Sequence, residues 1–154
     1  METYRSWADV RAEVPELADA AAALFASGTN KTMATLRADG SPRISGTELQ
    51  IGDEVTLGMM PGSRKLADVL RDPRVAIHSP TLEPPKEPTE WAGEAKLAGV
   101  LVAVEQPDGG VPGTYFAVRL SEVVMTTVQQ TDHGVRLVVE SWHPGRGYER
   151  VERE

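Results

Sequence analysis

Ser63, Arg64 and Lys65 stand directly ahead of Leu66, Val69 and Leu70, an apolar i, i+3, i+4 series that predicts one stripe of a short helix over SRKLADVLR. Ser63 then falls at the N-cap, where its hydroxyl and the free backbone N–H groups point the same way. Two cations in a first turn oppose the helix dipole, and they do so in a chain of net charge -7. A helix start with N–H donors, a guanidinium and an ammonium is chemistry suited to a phosphate dianion. Gly58 and Gly62 bracket the approach and let a planar ligand or a phosphate come close to the main chain. An alternative stays open on spacing alone: Arg64 and Lys65 can pair with Asp68, four and three residues on, as a solvated helix face.

Other chemistries find less support. The glycines of Gly58 to Lys65 are too close together for a P-loop, and no Ser or Thr follows the lysine. No G-x-S-x-G elbow occurs, which argues against a serine hydrolase. His78, His133 and His143 have no metal-ligand spacing, so no metal site is expected; His78 is read as a strand residue with a satisfied hydrogen bond, or an axial haem ligand if its strand faces a cavity. The pairs Glu13/Glu16 and Glu152/Glu154 read as solvated faces. With no cysteine there is neither disulfide nor thiol chemistry. The acidic balance argues against a nucleic-acid partner. No apolar run is long enough for a bilayer and METYRSWADV lacks the order of a signal peptide, so no membrane partner and a cytoplasmic location are expected.

The elements that must position the basic pair are mostly strands. A chain of 154 residues fits one domain. Ser6 to Ser27 reads as two helices, capped by Ser6 and started again by Pro15, which stop at Gly28 and form an N-terminal arm over 1–28. KTMATLRA, RISGTELQI and EVTLGMM follow as three antiparallel strands around the Asp39–Pro42 and Gly52–Asp53 turns. After the short helix, Asp72-Pro73 leads into RVAIHS, and four prolines between Pro80 and Glu90 mark an irregular connection. EAKLAGVLVAVE, TYFAVRLSEVVMTTV and VRLVVESW complete the strands, with Gly99 as a bulge or bend and Val100 to Val104 apolar on both faces. The expected fold is mainly β: a six- to seven-stranded antiparallel split β-barrel with N-terminal helices, a short helix between strands three and four, and a C-terminal tail over 144–154. That tail offers Trp142, His143, Arg146 and Tyr148 around a Pro-Gly-Arg-Gly turn, either to cover a ligand across a dimer or as a frayed terminus.

The run from Lys31 to Ser79, with MATLRADGSPRISGTE and then LGMMPGSRKLADVLRDPRVAIHS, resembles the pyridoxamine 5'-phosphate oxidase-like family of FMN-binding split barrels. The D-G-x-P turn, the S-R-K helix start and the D-P-R-V exit occur in that family's order. The resemblance implies a homodimer with FMN at its interface, relatives using deazaflavin F420 or haem, and a flavin-dependent oxidoreductase acting on a small molecule, or a non-catalytic cofactor carrier or sensor. It implies that Ser63, Arg64 and Lys65 hold the phosphate, that Arg43 lies near it, and that Ile44, Ser45, Gly46 and Thr47 line the ring. Met59 and Met60 would lie at the edge of the ring or ribityl chain, although methionine at such a place more often fills core. Glu48 departs from relatives that carry a second cation, and a carboxylate there repels phosphate unless it holds Arg43 or Arg64. ESWHPGRGYERVERE does not reproduce the arginine and histidine motif of the genuine pyridoxamine phosphate oxidase, so vitamin B6 oxidation is not expected.

Overall fold

The computed structural model describes residues 3–154, and among them are nine strands, three α-helices and a 3-10 turn at Pro88–Glu90. The helices are α1 (Trp7–Glu13), α2 (Pro15–Phe25) and α3 (Arg64–Arg71). The strands are β1 (Lys31–Leu36), β2 (Pro42–Thr47), β3 (Gln50–Ile51), β4 (Val55–Met59), β5 (Arg74–His78), β6 (Glu94–Val104), β7 (Thr114–Thr131), β8 (Gly134–His143) and β9 (Gly147–Arg153). All pairings are antiparallel.

Strand order explains how an open sheet becomes a split barrel. Along the hydrogen-bonded path β2-β1-β5-β6-β7-β4-β3, the successive strands β2 and β3 lie at opposite ends. Only Glu48 and Leu49 join them, and three residue steps span at most about 10 Å. The sheet must therefore curl until its two ends face each other across a seam. RISGTELQI thus breaks where a single strand was expected: Leu49 turns into the core while Gln50 and Ile51 pair with β4 rather than β1.

The barrel interior is filled by the inward residues of each strand, among them Met33, Val55, Leu57, Ile77, Leu97, Val118, Leu120 and Val123. The N-terminal helices are no loose arm. Trp7 and Val10 of α1 and Leu17, Ala21, Leu24 and Phe25 of α2 belong to the same core, and Arg5 exchanges two backbone hydrogen bonds with Leu120. Ser6 caps α1 by accepting from the Asp9 amide, and Pro15 opens α2.

The expected C-terminal tail is instead a strand. Gly145 and Gly147, with φ of 82° and 71°, close a hairpin turn after β8, and β9 pairs with β8 from His143↔Gly147 to Leu137↔Arg153. Trp142 is fully buried and its Nε1 donates to Glu13 Oε2 at 2.8 Å, so it ties β8 to α1 rather than reaching outward.

Gly99 marks a register shift between β6 and β7, as a bulge requires. A Cβ there would lie 1.9 Å from the Arg119 carbonyl oxygen, which is main chain and cannot swing aside. Gly99→Ala is therefore expected to cost about 3 kcal/mol and to lower the melting temperature by roughly 6–12 °C, measured by calorimetry. An unchanged melting temperature would show that the two strands can separate there without loss.

Candidate functional site

The start of α3, which follows β4, reaches β2 at the seam. Ser63 caps that helix, its Oγ accepting from the Leu66 amide at 3.3 Å, and Gly62 makes the entry turn with φ of 77°. Lys65 crosses the gap and donates from Nζ to the Gly46 carbonyl at 2.7 Å. Burial lowers the Lys65 pKa, so an incoming anion would restore an environment that favours its charge. Arg64 is exposed and has no hydrogen bond or ion pair among the described residues.

β2 is an end strand, and neighbouring residues of an antiparallel strand send their backbone groups to opposite edges. Because the Gly46 carbonyl meets Lys65, the backbone groups of Gly46 and Ile44 face the open edge. Ile44 is 73% exposed, an apolar side chain beside that edge.

Asp68 is engaged elsewhere than with the basic pair. It is 2% exposed and accepts from Thr35 Oγ1 at 2.7 Å, Arg43 Nε at 2.7 Å and Arg71 Nη2 at 3.2 Å. Neither Arg64 nor Lys65 touches it, so the pair is not a self-neutralising helix face. The Arg43 guanidinium is the largest influence holding the Asp68 carboxyl well below its ordinary value; burial opposes it, and Thr35 and Arg71 add to it. Arg43 commits only Nε to this contact, which leaves its Nη groups fixed in direction and available. Thr35 and Arg71 were not singled out from sequence, and Asp68 was named there only as a partner for Arg64 and Lys65. The signal was there in an acidic residue on the same helical turn as the buried Val69.

Leu70, expected in the apolar stripe, is 70% exposed, and Asp68 takes the inward place beside Val69. Glu48 is exposed and holds neither Arg43 nor Arg64. Ser45 shares Arg43's face of β2, and its Oγ is buried without a partner among the described residues. Thr47 is buried with its hydroxyl donating to the Glu48 carbonyl at 3.2 Å. Met59 packs in the core at 3% exposure, whereas Met60 is exposed at the mouth of the turn. Gly58 is needed for a different neighbour than a ligand: a Cβ there would lie 2.8 Å from the Tyr115 ring.

Among the described residues no group of three metal-ligating side chains occurs, and no helix is long and apolar enough to cross a membrane. His78 has both ring nitrogens engaged, Nδ1 with the Ser79 carbonyl and Nε2 with Glu94 at 2.8 Å.

No family model and no curated protein matches the sequence. Solved structures do match the fold. A pyridoxamine 5'-phosphate oxidase-related, FMN-binding protein from Nostoc punctiforme aligns at TM-score 0.57 and 10% identity over 96% of this chain and 94% of its own. PhzG from Burkholderia lata, in complex with tetrahydrophenazine-1-carboxylic acid, aligns at TM-score 0.58 and 12% identity over 91% and 89%. This chain has the pyridoxamine 5'-phosphate oxidase-like split-barrel fold. A heme-binding protein from Mycobacterium smegmatis shares it at TM-score 0.54 and 14% identity over 87% of each chain. Within this split-barrel fold, the basic helix start of α3 and the free edge of β2 meet at the seam. The buried, unpaired Ser45 hydroxyl and the free Nη groups of Arg43 suit a ligand rich in phosphate oxygens.

Proposed function

We propose that this chain binds FMN and serves as a flavin-dependent oxidoreductase of a small-molecule substrate. The observation that carries the reading is that Asp68 spends its charge on Arg43 and Arg71, leaving Arg64 and Lys65 for an external anion. Ser63 and the first amides of α3, with Arg64, Lys65 and the Nη groups of Arg43, hold the phosphate. The β2 edge at Ile44 and Gly46, with Ser45 and Thr47 behind it, forms the ring-facing wall, closed by Met60 and backed by Met59. FMN supplies the hydride and electron chemistry; the protein binds, orients and excludes water. Support for the assignment comes also from the FMN-binding protein that shares the fold.

The chain acts as a homodimer with the cofactor at its interface. Val102 and Val104, at 41% and 38% exposure, and Ile44 are the apolar surface that a second copy covers. A second reading, a non-catalytic carrier of F420 or haem on the same barrel, draws on the heme-binding protein of the same fold. Haem is the weaker choice, because both His78 ring nitrogens are occupied.

An absorption spectrum of the purified protein, followed by NAD(P)H and then an added acceptor, tests the proposal. Oxidised flavin bands that bleach and return are the expected result. FMN added at a hundred times its Kd adds about 2.7 kcal/mol of stability, raising the melting temperature by roughly 5–10 °C. Flavin that binds but does not cycle leaves binding without catalysis, and a deazaflavin or haem spectrum favours the second reading. Colourless protein with no thermal gain from FMN removes the FMN assignment.

A further inference from the structure

A concavity lies between the start of α2 and the β7–β8–β9 extension, with a volume of about 400 Å³. That size is within the range of roughly 300–1,000 Å³ typical of small-molecule sites. None of its lining residues belongs to β2, β4 or α3. Val14, Pro15, Leu17, Ala20 and Met125 make its apolar walls. Its polar groups are Glu16, Glu140 and Tyr148.

These three groups are arranged as acceptors. The Tyr148 hydroxyl donates to Glu140 Oε1 at 2.7 Å, which fixes that carboxylate and leaves its other oxygen for a donor. Burial chiefly pushes the Tyr148 pKa up to about 12; Glu140 and, more weakly, Glu16 add to the shift while Arg150 opposes it, so the phenol stays neutral beside the two carboxylates. Glu16 lies in the first turn of α2, where the helix dipole favours its charge. Arg150 sits across from Glu140 on β9 and donates from Nη1 to Glu152 at 3.4 Å. Glu13, next to the cleft, accepts from Trp142. Both charged residues that line the cleft are carboxylates, which disfavours an anionic ligand there.

We propose that this cleft binds a small organic cation, an ammonium or amidinium group on an apolar body, with the charge held between Glu16 and Glu140. The apolar body rests on Val14, Pro15, Leu17 and Met125, whose flexible thioether adapts to its shape. The site is independent of the flavin assignment, since it shares no residue with it.

The test is amide chemical-shift mapping of the full ¹⁵N-labelled chain with phenethylamine as probe. Phenethyl alcohol and phenylacetate serve as controls that keep the apolar body and change the charge. Phenethylamine is expected to shift Leu17, Ala20, Met125 and Tyr148 saturably, the alcohol to bind at least about tenfold more weakly, and phenylacetate not to bind. Glu16→Gln and Glu140→Gln should each weaken phenethylamine about fivefold or more with the rest of the spectrum intact. Glu16 is exposed, so its variant keeps the test sound if Glu140→Gln fails to fold. Equal binding of alcohol and amine, shifts clustered on β2 and α3, or no saturable shifts would each overturn the proposal.

Discussion

Replacing Arg64 and Lys65 together by alanine is expected to weaken FMN binding about a hundredfold or more, with little loss of stability. Each charge-assisted hydrogen bond to a phosphate contributes about 1.5–3 kcal/mol, and the double variant removes two donors. Arg64 has no partner among the described residues, and Lys65 gives up one hydrogen bond, to Gly46. The fold therefore loses only about 1 kcal/mol, which calorimetry on the unliganded protein checks. The pH dependence follows from the same geometry. Burial lowers the Lys65 pKa, so FMN affinity should fall as pH rises through that lowered value. It should also fall below about pH 6, where the FMN phosphate takes up its second proton. Retained affinity in the double variant would mean that the phosphate lies elsewhere.

Asp68→Asn is expected to damage both stability and binding. The carboxylate is buried among three donors, and removing its charge leaves Arg43 and Arg71 uncompensated beside a buried amide. Breaking such a pair costs about 3–5 kcal/mol when fully buried. Here Arg43 and Arg71 keep 20% and 40% exposure, and about 3 kcal/mol is the appropriate figure, a melting temperature lower by roughly 6–12 °C. Arg43 also loses its fixed direction, so FMN affinity should fall about tenfold. The folded pKa of Asp68 is depressed below the ordinary carboxyl value of 3.8, so its contribution is complete above that pH and is lost as pH falls below it. Acid unfolding of the variant should then lose part of its steepness below about pH 4. A variant as stable as the parent would show that the three donors find other partners.

The sequence carried the local elements and missed the long-range ones. Ser63, Pro15 and the D-G-x-P turn act within a few residues, and each sits as its chemistry dictates. Gly99 was legible as a bulge because a glycine within a strand has few other reasons to be there. The short strand β3 was not, because only the far end of the sheet decides that Gln50 and Ile51 pair with β4. β9 was hidden by composition: GYERVER is charged and exposed, and its order comes from backbone pairing with β8 rather than from burial. Asp68 was the residue whose partners spacing left open. Spacing placed it within reach of Arg64 and Lys65, but Thr35 and Arg43, 33 and 25 residues away in sequence, claim it in space. Leu70 is the counterpart, an apolar residue displaced outward because the inward position holds a carboxylate.

The account depends most on a phosphate held where α3 begins. Titrating the protein with FMN and with riboflavin, which differ only by that phosphate, measures this directly. The expected result is FMN binding at least about a hundredfold tighter, with the difference abolished in the Arg64 and Lys65 double variant. Equal affinity for the two flavins would contradict the account.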